Sequence, residues 1–230
     1  MKKRYLLLIL PLLFQLTSCG NGKQIDANQA KQIYLAIEKY VNGEYKVSDY
    51  TKVLTSHSEI FDDGVKNIYD IYNLIERKDN SVHSYYKNDK NGEKKVTDVY
   101  FYEKNGEYYQ NENKIAKGLY EAALLSYGGT NLASNYLSFV DLYISACLKG
   151  TELGNTTFYS KGEGNLTVVQ ELNVKNNEET YYSKTTFKYD DYKFVYYEFE
   201  SEQKETDGDV EKQHRTESVK YKASFINKYR

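Results

Sequence analysis

Apolar residues near the start of the chain follow the spacing of one helix face. Five of them lie between residues 33 and 41: Ile33, Ala36, Ile37, Tyr40 and Val41. Asp26 ahead of this run is a favourable N-cap, and Gln29 three residues later completes a capping-box pattern. Asn42-Gly43 supplies residues that commonly end a helix. The sequence therefore predicts a first helix at residues 27–41.

Two further apolar patterns with helical spacing occupy the middle of the chain. The first runs from Ile115 to Tyr127, and the second runs from Leu132 to Leu148 with Asp141 as its one charged residue. An apolar stripe as broad as the second is typical of a core helix, and it would also suit the lid of a ligand cavity. The side chains that would line such a cavity are Leu132, Tyr136, Phe139, Val140, Tyr143 and Ile144.

Strand-like segments lie on both sides of these central helices. In the first block, Asn91-Gly92 and Asn105-Gly106 are hairpin signals, while residues 44–64 before it are ambiguous. In the second block, Asn176-Asn177 and Asp190-Asp191 mark turns between runs of alternating apolar and polar residues. Strands joined by tight turns are antiparallel. We therefore predict an α+β fold: a curved antiparallel sheet in two blocks of strands, with an N-terminal helix and two central helices packed on it.

This element order resembles that of the LolA and LppX-like lipoprotein carriers. In these proteins a half-barrel sheet wraps apolar helices and holds acyl chains between them. The resemblance concerns element order and no motif, so no functional residue is carried over. It implies a protein that binds or carries an apolar or amphiphilic ligand, such as an acyl chain. The alternative is a filled core and a sheet face, rich in the 26 tyrosines, that meets a protein or glycan partner.

The first nineteen residues have the order of an export signal. A positive start at residues 2–4 precedes an apolar stretch at residues 5–14, which is shorter than the roughly 20 residues that a membrane-spanning helix needs. The four residues Leu16-Thr17-Ser18-Cys19 then resemble the lipobox of bacterial lipoproteins. The resemblance implies cleavage before Cys19 and attachment of the protein to membrane lipid through acyl chains on Cys19.

The signal also defines the expected organisation of the chain. Residues 1–18 would form the signal peptide, residues 19–25 the lipidated cysteine and a short tether, and residues 26–230 a single domain, for which the length is suitable. A tether of this length reaches at most about 20 Å. We therefore expect the domain to lie close to the outer side of the cell membrane.

Charge and motif spacing exclude several classes of function. Without residues 1–18 the net charge is -5, because the whole chain carries -2 and the removed segment carries three basic residues. Acidic and basic residues are interleaved, which predicts a solvated surface and no nucleic-acid site. His57, His83 and His214 lack the spacing of a zinc site and are interpreted as surface or turn residues. No nucleophile, phosphate-loop or cofactor motif occurs, so we expect no enzyme activity, cofactor or metal.

The second cysteine carries a separate expectation. If Cys19 is lipidated, Cys147 has no cysteine partner in this chain. Cys147 continues the apolar stripe of the second central helix. We therefore predict a buried, unreactive thiol.

Overall fold

The computed structural model describes residues 22–43, 47–127, 132–151, 153–176 and 179–222. Cys19 and the expected signal peptide lie outside these ranges, so lipidation and the division of the chain remain predictions. Within the described ranges, every helix is too short or too polar to cross a bilayer.

Three α-helices are present: α1 (Ala27–Val41), α2 (Lys117–Ser126) and α3 (Leu137–Lys149). The capping box at the start of α1 is complete, as predicted. The Gln29 backbone N–H donates to the Asp26 carboxylate at 2.8 Å, and the Asp26 N–H donates to the Gln29 side chain at 3.2 Å. These two bonds satisfy backbone donors that the first helical turn leaves free.

The second central helix is shorter than predicted. A 3-10 turn at Leu132–Ser134 precedes α3, and Tyr136 between them has a left-handed backbone with φ 63°. The Tyr136 ring stacks on Tyr197 of the sheet, with 4.6 Å between ring centroids. A left-handed tyrosine is uncommon. We attribute the break to this tertiary contact, which helical periodicity does not encode.

The strands form one sheet with antiparallel pairing throughout. Its twelve strands in the described residues are β1 (Lys23–Ile25), β2 (Tyr50–Asp62), β3 (Val65–Lys78), β4 (Ser81–Lys90), β5 (Glu93–Lys104), β6 (Glu107–Gln110), β7 (Asn113–Ile115), β8 (Asn155–Gly162), β9 (Asn165–Lys175), β10 (Glu179–Asp190), β11 (Lys193–Glu205) and β12 (Val210–Tyr221). Their order is β1-β8-β9-β10-β11-β12-β2-β3-β4-β5-β6-β7. Thus β12 joins the two predicted blocks by pairing with β2. The predicted α+β class with a curved antiparallel sheet is confirmed.

Strands β1, β2 and β7 lie where the sequence predicted none, and Ile115, the predicted start of a helix, is the last residue of β7. The ambiguous segment contains β2, which is central in the sheet, and part of the expected tether forms β1, where Lys23 pairs with Ser160. The predicted Asn-Gly hairpins are both present. At Asn91-Gly92, for example, φ is 51° and then 90°, and two successive positive φ angles are what a type I′ hairpin turn requires.

The helices pack on one face of the sheet, which we call the inner face; the opposite face is the outer face. The main hydrophobic core lies between the helices and the inner face, and it occupies one end of the strands. Its members include Ala30, Ile37, Val140 and Ile144 from the helices and Tyr50, Phe158, Leu166, Val168, Phe187, Phe194 and Val219 from the sheet. We call this the covered end of the sheet.

At the opposite end, which we call the free end, the strands continue beyond the core. In β2, every residue from Thr51 to Ile60 is half-buried and none is buried. The 11-residue step from Tyr221 to Val210 in β12 corresponds to about 35 Å of strand. The free end is therefore a single layer of sheet that extends away from the helices.

Candidate functional site on the outer face of the sheet

The six residues predicted to line a cavity lie together between α3, the preceding 3-10 turn and the inner face. Val140 and Ile144 are completely buried at 0% exposure and Leu132 is nearly so. Tyr136 and Tyr143 are partly buried against the same core, whereas Phe139 is 51% exposed. Five of the six therefore have core contacts, and Phe139 lies at the surface.

Aromatic contacts fill the space beneath Tyr136. Its ring lies 5.1 Å from that of Phe194 and 5.5 Å from that of Phe187, measured between centroids. Its hydroxyl donates to the Glu217 carboxylate at 3.2 Å. Burial is the largest cause that raises the pKa of Tyr136, and the Glu217 charge adds to it. These rings contact one another in the place where an acyl chain was expected.

Glu217 is a buried carboxylate that the sequence did not single out. It is 2% exposed, and its partners include the Lys52 ammonium group at 2.9 Å and the Asn135 side-chain amide at 3.4 Å. The charge and hydrogen bonds of these partners compensate for its burial. Glu217 thus stabilises the junction between the 3-10 turn, β12 and β2.

The prediction of a buried Cys147 is wrong, because its thiol is exposed. Cys147 lies in the last turn of α3, where the neighbouring Leu148 is also 44% exposed. The apolar stripe of the sequence continues to the end of α3, but the packing against the sheet does not.

The outer face carries no helix in the described part of the chain. Strand register places a row of side chains across five neighbouring strands of this face, and we call it the apolar row: Tyr196, Ser218, Val53, Leu74 and Tyr85. All five are half-buried. Because side chains alternate between the two faces of a strand, this row is continuous and open to solvent from one side.

Two histidines lie on the outer face nearer to the free end. His57 of β2 and His214 of β12 are direct cross-strand partners, and both are roughly half exposed. Both lie within strands and at the surface, which agrees with the interpretation of these residues as surface or turn histidines. Their proximity depends on the pairing of β12 with β2, which local sequence spacing cannot reveal.

Each of these histidines has carboxylate neighbours. The Nδ1 atom of His57 lies 2.6 Å from Asp70, and this hydrogen bond is the largest cause that raises the pKa of His57. The Nε2 atom of His214 lies 3.1 Å from Glu198 and 3.9 Å from Glu200. The two histidines also line a shallow pocket of about 220 Å³. The outer face thus concentrates imidazole and carboxylate groups beside the apolar row.

His83 differs from the other two histidines because it is buried within β4, so its interpretation as a surface or turn residue is wrong. Its ring stacks on Tyr100 with 4.0 Å between centroids, and its two nitrogens lie 2.8 Å from Glu76 and 2.9 Å from Asp98. Each ring nitrogen therefore has a carboxylate oxygen within hydrogen-bond distance. This arrangement connects β3, β4 and β5 and leaves neither ring nitrogen free for a ligand.

An apolar pair lies on the outer face at the tip of the free end. Phe61 is 41% exposed and pairs across the strands with Val210. Around the pair, Glu59 contacts Lys66 at 2.9 Å, while Lys212 contacts Glu202 at 3.1 Å. Exposed ion pairs of this kind contribute little to stability. They do surround the apolar groups with charges that are already paired.

No family model matches this chain, and no curated protein matches it. Among solved structures, the chain is similar to lipovitellin, described for its lipid-protein interactions, at 12% identity and a TM-score of 0.29. That match covers 79% of this chain and 26% of the other, so this chain spans about a quarter of the lipovitellin chain. It is also similar to the S-type phycobiliprotein lyase CPES from Guillardia theta, at 7% identity and a TM-score of 0.19, covering 81% and 94% of the two chains. With TM-scores this low, function must be argued from the site itself.

Proposed function

We propose that this protein is a non-enzymatic, lipid-anchored bacterial surface protein that binds a protein partner through the outer face of its sheet. The observation that carries the proposal is the apolar row, which crosses five strands without a helix above it in the described residues. Exposed apolar patches with a polar rim are typical of protein interaction sites. The lipobox-like sequence ending at Cys19 supports the anchor.

The position of the anchor relative to the sheet supports this function. Lys23 pairs with Ser160 at the covered end, four residues after Cys19. Acyl chains on Cys19 would therefore hold the covered end beside the lipid headgroups. The tip of the free end, which lies about 35 Å from Tyr221 along β12, would be the part of the protein available to a partner outside the cell.

The chemistry of the outer face indicates the kind of partner. Tyrosine and aliphatic side chains form four of the five positions of the apolar row, and Ser218 is the fifth. Phe61 at the free end offers a second anchor of the type enriched in interface centres. The surrounding charges are paired with one another, as in Glu59–Lys66 and Lys212–Glu202. The complementary surface is therefore that of a protein with an apolar centre and a rim of mixed charge. The absence of Trp from the chain favours a protein over a glycan.

Site-specific photocrosslinking on living cells tests the proposal. A photoreactive phenylalanine analogue replaces Tyr85 of the apolar row in the full chain, displayed by a bacterium that processes its signal. The control places the same analogue at Leu125, which is 80% exposed on α2. We expect a discrete protein adduct from position 85, and we expect a charge-introducing Leu74→Glu change to remove it. Equal adducts from both positions, or none from position 85, would contradict the proposal.

Ligand carriage is a second candidate, supported by an open groove of about 630 Å³ beside β1, α1 and the β8–β9 turn. Ile25 and Ile33 line it together with polar residues such as Gln29. The volume is within the range of small-molecule sites, and the groove lies where the chain would leave the membrane. An acyl chain or a similar amphiphile is the ligand that this position suits.

Native mass spectrometry of the protein distinguishes this candidate from a protein-binding role. A carrier would retain lipid after the detergent is exchanged, and Ile33→Glu would abolish the bound mass. Leu35→Glu is the matched control, because Leu35 is 48% exposed on the same helix and does not line the groove. If neither the wild type nor Leu35→Glu retains lipid, carriage in this groove is excluded.

A further inference from the structure

We infer that Glu198, Glu200 and His214 form a Zn²⁺-binding site on the outer face. Each offers one ligand atom, and the three ligand atoms lie within 4.8 Å of one another. His214 is isolated in the sequence because its companions lie on another strand. The inference is independent of the protein partner proposed above, since metal binding is measured on the isolated protein.

Strand geometry fixes the three groups relative to one another. Glu198 and Glu200 are two residues apart on β11 and therefore share a face. His214 on β12 is the direct cross-strand partner of Glu200. A hydrogen bond with the Tyr196 hydroxyl further orients Glu198. The ligands thus belong to a hydrogen-bonded ladder, and such elements hold a site more precisely than loops do.

The separations suit tetrahedral zinc. Zinc binds imidazole nitrogen and carboxylate oxygen at about 2.0–2.2 Å, which places two ligands of a tetrahedron about 3.3 Å apart. The Nε2 atom of His214 lies 3.1 Å from a Glu198 oxygen and 3.9 Å from a Glu200 oxygen. Small side-chain rotations are sufficient to bring all three atoms to one metal ion.

The local charge also favours a cation at this position. Within the described residues, His214 is the ion-pair partner of both Glu198 and Glu200. An imidazole ring carries at most one positive charge, so His214 cannot balance both carboxylates. Nearby lysines have other carboxylate partners, since Lys212 contacts Glu202 and Lys184 contacts Glu171, both at 3.1 Å. A divalent cation would supply the missing positive charge.

The donor set selects zinc over calcium and magnesium. Those two ions take oxygen ligands, whereas an imidazole nitrogen with two carboxylates suits zinc. Three protein ligands leave a fourth position for water or for a donor from another molecule. His57 is the nearest imidazole, but its Nδ1 atom contacts Asp70 at 2.6 Å. We therefore assign three protein ligands and place His57 outside the coordination sphere.

Competition with a chromophoric zinc chelator tests the site. The full chain is expressed with its signal and a tag free of histidine, purified from membranes in mild detergent and treated with EDTA. A Cys147→Ser background removes the exposed thiol as an alternative ligand. We expect the protein to withdraw about one equivalent of Zn²⁺ from the chelator, as a single site requires.

Variants identify the ligands. His214→Ala and the double change Glu198→Gln with Glu200→Gln should each weaken binding more than about tenfold, since loss of even an outer-sphere partner costs about 10–100-fold. Glu202→Gln is the matched control on the same strand and face, and it should bind as the background protein does. Circular dichroism verifies that each variant keeps its strands.

Three outcomes overturn the inference. The first is that the protein fails to compete for zinc, and the second is that binding survives in His214→Ala. The third is that Glu202→Gln loses as much affinity as the ligand variants. His57→Ala should leave the affinity unchanged, and a loss of about tenfold or more would overturn the three-ligand assignment.

Discussion

The covered and free ends of the sheet are built from the same strands but rely on different interactions. Along β12, Glu217 and Val219 are buried at the covered end, whereas Lys212 and Gln213 at the free end are exposed. Both ends have the same uninterrupted antiparallel ladder to β2. The comparison shows that pairing and register continue where the hydrophobic core has ended.

The two ends should therefore respond differently to the same change. At the covered end, apolar burial is the main favourable contribution, at about 25 cal/mol for each Å² removed from water. At the free end, the ladder and its cross-strand side-chain pairs remain, and each such pair contributes roughly 0.2–1 kcal/mol. Matched substitutions at the two ends measure this difference.

A pair of phenylalanine truncations has the largest expected effect. Phe187 is 2% exposed and contacts several aromatic rings, whereas Phe61 at the free end is 41% exposed. Phe187→Ala should lower the free energy of unfolding by about 3–5 kcal/mol, and Phe61→Ala should lower it by less than about 1 kcal/mol. Urea denaturation followed by circular dichroism gives both values. Similar losses at both sites would show that the free end has a core of its own.

Two glycines give the next largest contrast. Gly92 and Gly164 both have positive φ, so alanine strains the backbone at either position by about 1 kcal/mol. At Gly92 the added methyl group meets open space, while at Gly164 it lies 2.8 Å from the Tyr192 ring. Gly164→Ala should therefore lower the free energy of unfolding by about 1–3 kcal/mol more than Gly92→Ala does, because the added methyl group overpacks the site. Thermal and urea unfolding measure this difference, and equal losses would show that Tyr192 moves aside freely.

Substitution of two lysines compares the stability contributed by an inner-face ion pair with that contributed by an ion pair on the outer face. Lys52→Met leaves the buried Glu217 carboxylate without its cation and should destabilise the protein by about 1–3 kcal/mol. Lys66→Met removes one partner of the half-buried Glu59, which His57 also contacts at 3.4 Å, and we expect no measurable change in unfolding. A large loss in Lys66→Met would instead show that surface charges stabilise the free end.

The smallest expected effect is a pH dependence at the free end. The Asp70 hydrogen bond raises the pKa of His57, so the folded state binds the proton more tightly than the unfolded state does. The resulting stability is present below the unfolded pKa of about 6.5 and is lost as the pH rises through the higher folded value. Asp70→Asn should reduce this stabilisation at acidic pH, while the smaller contribution of Glu59 remains. Titration of the His57 ring by NMR should show a lower pKa in Asp70→Asn, and an unchanged pKa would contradict the assignment.

Features specified by neighbouring residues were predictable from the sequence. The Asp26–Gln29 capping box defined the start of α1, and Asn91-Gly92 defined a hairpin, because both act within four residues. The strand β2 was not predictable in the same way. It has neither face fully buried, so the alternation of apolar and polar residues that normally marks a strand is weak.

The features missed from the sequence depend on distant contacts. Tyr136 interrupts the second central helix where it packs on the sheet, and its partner Tyr197 lies on β11. His57 and His214 meet only because β12 returns to pair with β2. The spacing rules for metal ligands examine short segments and cannot detect a site assembled from two strands.

The pairing of β12 with β2 also determines when this protein can finish folding. Strands β2 to β7 are synthesised before β8 to β12 and pair in order. The edge of β2 that pairs with β12 lacks its partner until Val210–Tyr221 has been made. Unpaired edges are sites of misassembly during biosynthesis. A nascent chain that stops before Val210 would expose the edges of both β2 and β11. The last described strand thus covers two edges at once and makes one sheet of the two blocks.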